Sequence, residues 1–211
     1  KCEEAGILLA VNHTRRWAPD MVRLRNEISS GFHGPIRSVS GIYNKGLLNN
    51  GGHMIDLIRF LFGEIEPVWA GAPVADHWRN DASIPAVLRT QNGIPVCLNV
   101  AHAADYAIFE LQIVTAEGLI AIEDGGAIWR QRRAIDSTDF AGYKVLGPGI
   151  ESSGEYEQAM RRAVSNIHDA ITVGAPIASS GHSALATHEI CERIRCLSQQ
   201  AWTCAEPDMR G

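Results

Sequence analysis

Three tight-turn signals in the middle of the chain constrain the fold most. Asn92-Gly93 separates the apolar runs 84–90 and 95–100, and Glu117-Gly118 separates 109–115 from 119–122. Gly125-Gly126 precedes a further run at 127–130. Short β-rich runs joined by two-residue turns form antiparallel hairpins, because only a tight reversal lets consecutive strands pair. From Pro67 to about Asp136 the chain therefore predicts a meander, whose apolar face needs a cover.

The flanking segments supply that cover. Residues 7–11 read as a short apolar strand. Pro19 opens a helix with Met21, Leu24 and Ile28 on one face, stopped by Gly31. Residues 35–44, with Ile36, Val39 and Ile42, read as a strand. Asn50 is placed to cap the next helix and Gly63 to end it, with Ile55, Ile58, Leu61 and Phe62 buried. His53, Asp56 and Arg59 fall on another face, where Asp56 and Arg59 are spaced as a structural pair. The glycine-rich stretch 137–153 reads as a loop. Tyr156, Ala159, Met160, Ala163, Val164, Ile167, Ala170 and Ile171 then hold helical spacing up to Gly174 and Pro176. A last helix over 183–200 turns Ala184, Cys191, Ile194 and Leu197 inward, and the tail from Trp202 is read as frayed. The expected fold class is α+β: an open, mainly antiparallel β-sheet with helices packed on one face, the early strand–helix–strand order making some strands parallel.

The 211 residues suit a single domain spanning 1–211. Residues 1–5 read as the last turn of a helix ending at Gly6, which points to a missing upstream segment, and 201–211 read as a tail. A net charge of −5 with only short basic clusters (Arg15-Arg16, 130–133, Arg161-Arg162) speaks against nucleic acid or an anionic membrane as partner. No apolar run approaches the roughly 20 residues of a membrane helix. Cys2, Cys97, Cys191, Cys196 and Cys204 show no C-x-x-C spacing and are odd in number, which fits a reducing cytoplasm better than a disulfide scaffold. No histidines pair as H-x-x-x-H, and no metal site is expected.

No G-x-G-x-x-G follows a strand, and there is no Walker loop or nucleophile elbow, so the chain by itself is not expected to bind a dinucleotide. The candidate for chemistry is His53, in the first turn of a helix after Gly51 and Gly52. The positive helix end biases its imidazole towards neutral, and a neutral imidazole can accept a hydroxyl proton. The two glycines would let a ligand approach the backbone, and Asn49 and Asn50 offer amides to orient a hydroxyl or the imidazole. Asn12 and Arg16 at the first strand's end, and Lys45 after the second, stand where α/β proteins place ligand contacts. Each has a structural alternative: an ion pair for Arg16, a cap or packing role for His53.

The run HMIDLIRFLFGE from His53 resembles the His followed by an apolar–Asp–Leu–apolar–Arg helix of the glucose–fructose oxidoreductase, inositol dehydrogenase and rhizopine catabolism (Gfo/Idh/MocA) family, in its C-terminal domain. Arg16 to Pro19 (RWAP), Gly31 to Ile36 (GFHGPI) and the closing IHDAITVGAPIASSGHSAL resemble other parts of that domain, in the same order. The resemblance implies a missing N-terminal Rossmann domain holding NAD or NADP together with an active-site lysine. It further implies hydride transfer at a secondary alcohol of a sugar, cyclitol or nucleotide sugar. His53 would be the acid/base, with Asn49 beside it and Arg16, Asn12 and Lys45 near the substrate. The isolated chain would be inactive. A homodimer or homotetramer through the open sheet face is implied as well. Asn49 stands where many relatives carry Asp; it can hydrogen-bond but cannot relay a proton.

Overall fold

Residues 1–2 and 4–203 are described by the computed structural model. A 3₁₀ turn over Thr14–Trp17 leads into helix α1 (Pro19–Ser29), with Met21 and Leu24 buried beneath it as their spacing predicts. Strand β1 (Ile36–Tyr43) is followed by a π-helical turn, Gly46–Gly51, which continues directly into α2 (Gly52–Phe62). Next come β2 (Ile65–Ala70), the small hairpin β3 (Val74–Trp78) and β4 (Asp81–Ser83), then β5 (Ala86–Thr90) and β6 (Pro95–Val100). Then follow β7 (Phe109–Thr115), β8 (Gly118–Glu123) and β9 (Ile128–Asp136); β1 stands between β6 and β7 and β3–β4 pair apart, so the single meander expected over this segment is split in two. Two short strands, β10 (Lys144–Leu146) and β11 (Ile150–Ser153), precede α3 (Ala159–Val173) and α4 (Gly181–Thr203).

The large sheet runs β10-β9-β8-β7-β1-β6-β5-β2, with β11 also on β9. All its pairings are antiparallel except β1 with β6, where Val39 faces Val96 and Gly41 faces Leu98. The parallel pair arises because the excursion through α2 returns the chain to the far side of β1. The hairpins at Gly93 and Gly118 form where the turn chemistry places them; Gly93 takes φ +82°, which a glycine adopts without strain.

Helix α2 lies across the sheet and is buried nearly all round, with Met54, Ile55, Leu57 and Ile58 at most 1% exposed. Each such side chain contributes about 1.5–3 kcal/mol of burial. Gly41 on β1 makes this approach possible: a Cβ there would stand 3.0 Å from Met54 Sδ and 3.1 Å from Leu98 Cδ2.

Several expectations are corrected. Residues 7–11 form no strand but an extended strap with one bridge, Ala10 to Ser180, and Ile7, Leu8 and Leu9 stay exposed because no sheet edge adjoins them. On β1 the buried residues are Val39, Gly41 and Tyr43; Ile36 and Ile42 are each three residues from Val39, an odd spacing that turns Ile42 to the opposite face of a strand. Asn50 does not cap α2, since the helical path begins earlier, in the π turn. The stretch 137–153 holds β10 and β11, whose residues are exposed throughout and therefore show no hydrophobic alternation to read. Helix α3 buries only Ala159, Ala163 and Ala170, while Met160, Val164 and Ile171 face outward. The last helix continues to Thr203, and the rest of the expected tail, 204–211, lies outside the described residues.

Candidate functional site

The site is built on two elements: the 3₁₀ turn at Thr14–Trp17 and the exposed end of α2. A 3₁₀ helix has three residues per turn, so His13 and Arg16 share a face. That face meets Asp56 on α2. Arg16 donates from Nε to Asp56 Oδ2 at 2.8 Å and from Nη2 to Oδ1 at 2.9 Å. His13 Nδ1 stands 3.0 Å from Asp56 Oδ1, at ion-pair distance but off the alignment of a hydrogen bond. Burial works against the Asp56 carboxylate, yet His13 and Arg16 together outweigh it and hold its pKa below the usual range. Thr187 on α4 donates to Asp56 Oδ1 at 3.3 Å and accepts from Arg59 Nη1 at 2.8 Å. Arg59 forks onto Glu64, so the Asp56–Arg59 pair expected from their spacing is not formed; each finds a different partner and Thr187 bridges them.

His53 lies one turn before Asp56. Its ring meets that of His13 edge-on, centroids 5.5 Å apart. Burial lowers its pKa from 6.5 to about 4, the positive charge of Arg15 and then the nearby His13 ring add to this, and Asp56 pulls weakly the other way. At neutral pH the imidazole is therefore neutral, as expected, although burial is the main cause rather than the helix end. The first N–H groups of the helical path belong to the π turn and are answered from the β3–β4 hairpin. Asp81 accepts from Leu48 N at 2.9 Å and Asn49 N at 3.1 Å, Ser83 Oγ from Gly46 N, and Asp76 from Lys45 N.

Arg15 completes the group. Its guanidinium carbon stands 3.5 Å from the centre of the Phe109 ring and 5.0 Å from that of Tyr156. Burial lowers its pKa to about 10, with Tyr156 opposing. Neither His13 nor Arg15 was singled out from the sequence as a site residue. The spacing of His13 to Arg16 in a short turn was the available signal for the first; Arg15 became visible only once Phe109 and Tyr156 converged on it.

The other expected residues are placed as follows. Asn49 is exposed, its Nδ2 donating to Lys45 O at 3.0 Å. Lys45 has a left-handed backbone, φ 66°. Asn12 is exposed and its Oδ1 accepts from Thr14 Oγ1 at 2.9 Å. The space beside Gly51 is filled by the Tyr43 ring, 2.9 Å from where a Cβ would stand, so this glycine serves packing. Gly52 lines a cavity of about 1050 Å³ together with Ile7, Leu9, His13, Leu48 and Leu185; the cavity adjoins the site at His13 and is not lined by His53. Among the described residues no three His, Cys, Asp or Glu side chains gather as metal ligands, and no helix is long and apolar enough to cross a membrane.

Residues 43–121 match the sequence model of the GFO/IDH/MocA C-terminal domain. None of the curated proteins matches the chain. Among solved structures, a Desulfitobacterium hafniense protein described as an NADPH-dependent oxidoreductase superposes with a TM-score of 0.76 at 15% identity. The alignment covers 95% of this chain and 65% of that one. The WlbA dehydrogenase of Bordetella pertussis, solved with NADH and UDP-GlcNAcA, gives 0.73 at 15% identity over 95% of this chain and 65% of its own. A super-repressor mutant of Gal80p from Saccharomyces cerevisiae gives 0.72 at 13% over 95% and 66%. The chain thus spans just under two thirds of the length of these proteins. The match to the GFO/IDH/MocA C-terminal domain spans residues 43–121, and the fold around them is the one these solved structures share.

Proposed function

We propose that this chain is the substrate-binding and proton-transferring part of an NAD(P)-dependent oxidoreductase acting on a secondary alcohol of a sugar, cyclitol or nucleotide sugar. The observation that carries the reading is His53: a neutral imidazole with partial solvent access in the first turn of α2, edge-on to His13 and within the field of Arg15. A neutral imidazole accepts the hydroxyl proton as the alcohol is oxidised and returns it in the reverse direction. A nicotinamide coenzyme, when bound, takes or supplies the hydride. The relatives are longer than this chain, and a further domain holding that coenzyme belongs to the proposal; this chain contributes the acid/base and the substrate contacts. Its glycine turn at Asp124–Gly126 leads into a strand, which does not fit the phosphate-binding turn of a dinucleotide site.

Within this reading Arg16 acts as a positioning residue: its fork is committed to Asp56, which fixes the turn that holds His13 and Arg15 against α2. Asn49, Asn12 and Lys45 are offered to substrate hydroxyls. WlbA supports the class of substrate, since its structure holds NADH and a nucleotide sugar. The test joins the chain to a nucleotide-binding domain of the family and follows nicotinamide absorbance with sugar and polyol substrates. His53→Ala is expected to lower kcat by about 100-fold or more. Full turnover in His53→Ala would remove His53 from the mechanism. The chain alone is expected to be inactive.

A second reading, a non-catalytic ligand-binding or oligomerisation module, draws on the fold likeness to a repressor and on Asn49. It predicts ligand binding without turnover in the joined protein. Either reading includes self-association through the open sheet face into a dimer or tetramer, which light scattering on the chain measures directly.

A further inference from the structure

Two of the arginines that meet the core fork onto carboxylates: Arg16 onto Asp56 and Arg59 onto Glu64. Arg15 does not. Among the described residues no carboxylate lies within ion-pair distance of it, and its Nε is shut off from water without a hydrogen-bond partner. Its contacts are two aromatic faces, Phe109 at the start of β7 and Tyr156 before α3. A desolvated guanidinium without a counter-charge costs free energy that stacking only partly offsets, so the position is not explained by stability. Gly125 borders the Nη2 end, where a Cβ would stand 3.4 Å away, and the residue as a whole keeps partial solvent access. The guanidinium is thus held by its faces without a counter-charge, and its charge is felt at His53.

We propose that Arg15 receives a carboxylate of the substrate, which makes the substrate an acidic sugar or related hydroxy acid rather than a neutral polyol. This rests on the reading of His53 as acid/base and names the substrate class of the same site. A stacked guanidinium meets a planar carboxylate edge to edge, in two charge-assisted hydrogen bonds. Binding there offsets the share of the His53 depression that comes from the Arg15 charge, burial being the larger share. Facing His53 besides Arg15 are His13 and Asp56, and neither changes partner in the process.

The test uses the 211-residue chain and requires no turnover. D-glucuronate, D-glucose and glucose 6-phosphate are titrated while the ring signals of His53 and the Nε–H of Arg15 are followed by NMR. Glucuronate is expected to bind at least ~10-fold more tightly than glucose and to raise the pKa of His53. Arg15→Gln is expected to erase the preference and Arg15→Lys, which keeps the charge without the fork, to reduce it; unchanged amide spectra show that the fold persists. Equal binding of glucuronate and glucose, tighter binding of the phosphate, no binding of any probe, or a preference that survives in Arg15→Gln each overturns the proposal. His53→Ala separates the two readings: carboxylate binding that survives in it stands even if His53 proves not to be the acid/base.

Discussion

Arg16 and Asp56, forty residues apart in sequence, meet as a two-point ion pair with Nε–Oδ2 at 2.8 Å and Nη2–Oδ1 at 2.9 Å, the carboxylate only 2% exposed. The pair joins the turn that carries His13 and Arg15 to the helix that carries His53. Removing one partner leaves the other charged and desolvated. Asp56→Asn is therefore expected to lose about 3–5 kcal/mol in urea denaturation. Replacing both partners by apolar residues, Arg16→Met with Asp56→Leu, is expected to cost less than either single change. A double variant as unstable as the sum of the singles would mean that the two residues act independently.

This pair shows where the sequence was readable and where it was not. The hairpins around Gly93 and Gly118 are local: two residues define the turn and the flanking runs define the strands. The helix of His53 was legible from its apolar spacing. The π turn before it was not, because its caps, Asp81 and Ser83, arrive from a hairpin about thirty residues on. For Arg16 an ion pair is the role observed, but nothing local in the sequence names Asp56, forty residues on, as its partner rather than another carboxylate. Arg15, next to it, reads the same in sequence and differs only in what surrounds it.

The pH dependence of stability follows from His53. Its pKa is about 4 in the fold and 6.5 in the unfolded chain, so between these values the unfolded state binds the extra proton. Stability is then full above about pH 6.5 and falls as the pH is lowered towards 4. Asp56, held below the usual carboxylate value, adds its own loss only in more acid solution, below the unfolded value of about 4. His53→Gln is expected to flatten the upper part of the curve. The direct check is an NMR titration of His53, whose midpoint should rise in Arg15→Gln and fall further in Asp56→Asn.

Asp81 caps the path into α2 by accepting from Leu48 N and Asn49 N. Asp81→Ala is expected to cost about 1 kcal/mol, as for other helix caps. Amide exchange at Leu48 and Asn49 should accelerate, while the hairpin at Gly93 is unaffected. Gly46→Ala should be worse than a lost cap: its Cβ would stand 2.1 Å from Asp81 Oδ2, on a backbone with φ +93°.

The position of His53 above the sheet is set by how closely α2 approaches β1, and Gly41 controls that distance. A Cβ there would stand 3.0 Å from Met54 Sδ and 3.3 Å from Met54 Cγ, so the residue one place after His53 is the one displaced. Gly41→Val adds two further carbons to this contact and is expected to cost about 1–3 kcal/mol through overpacking. Met54→Ala empties the space those carbons need. The double variant should therefore be more stable than Met54→Ala alone, a reversal of sign that only direct packing between the two positions produces. Urea denaturation of the four proteins measures it. If Gly41→Val costs the same whether or not Met54 is present, the helix is held at its distance by something other than this contact.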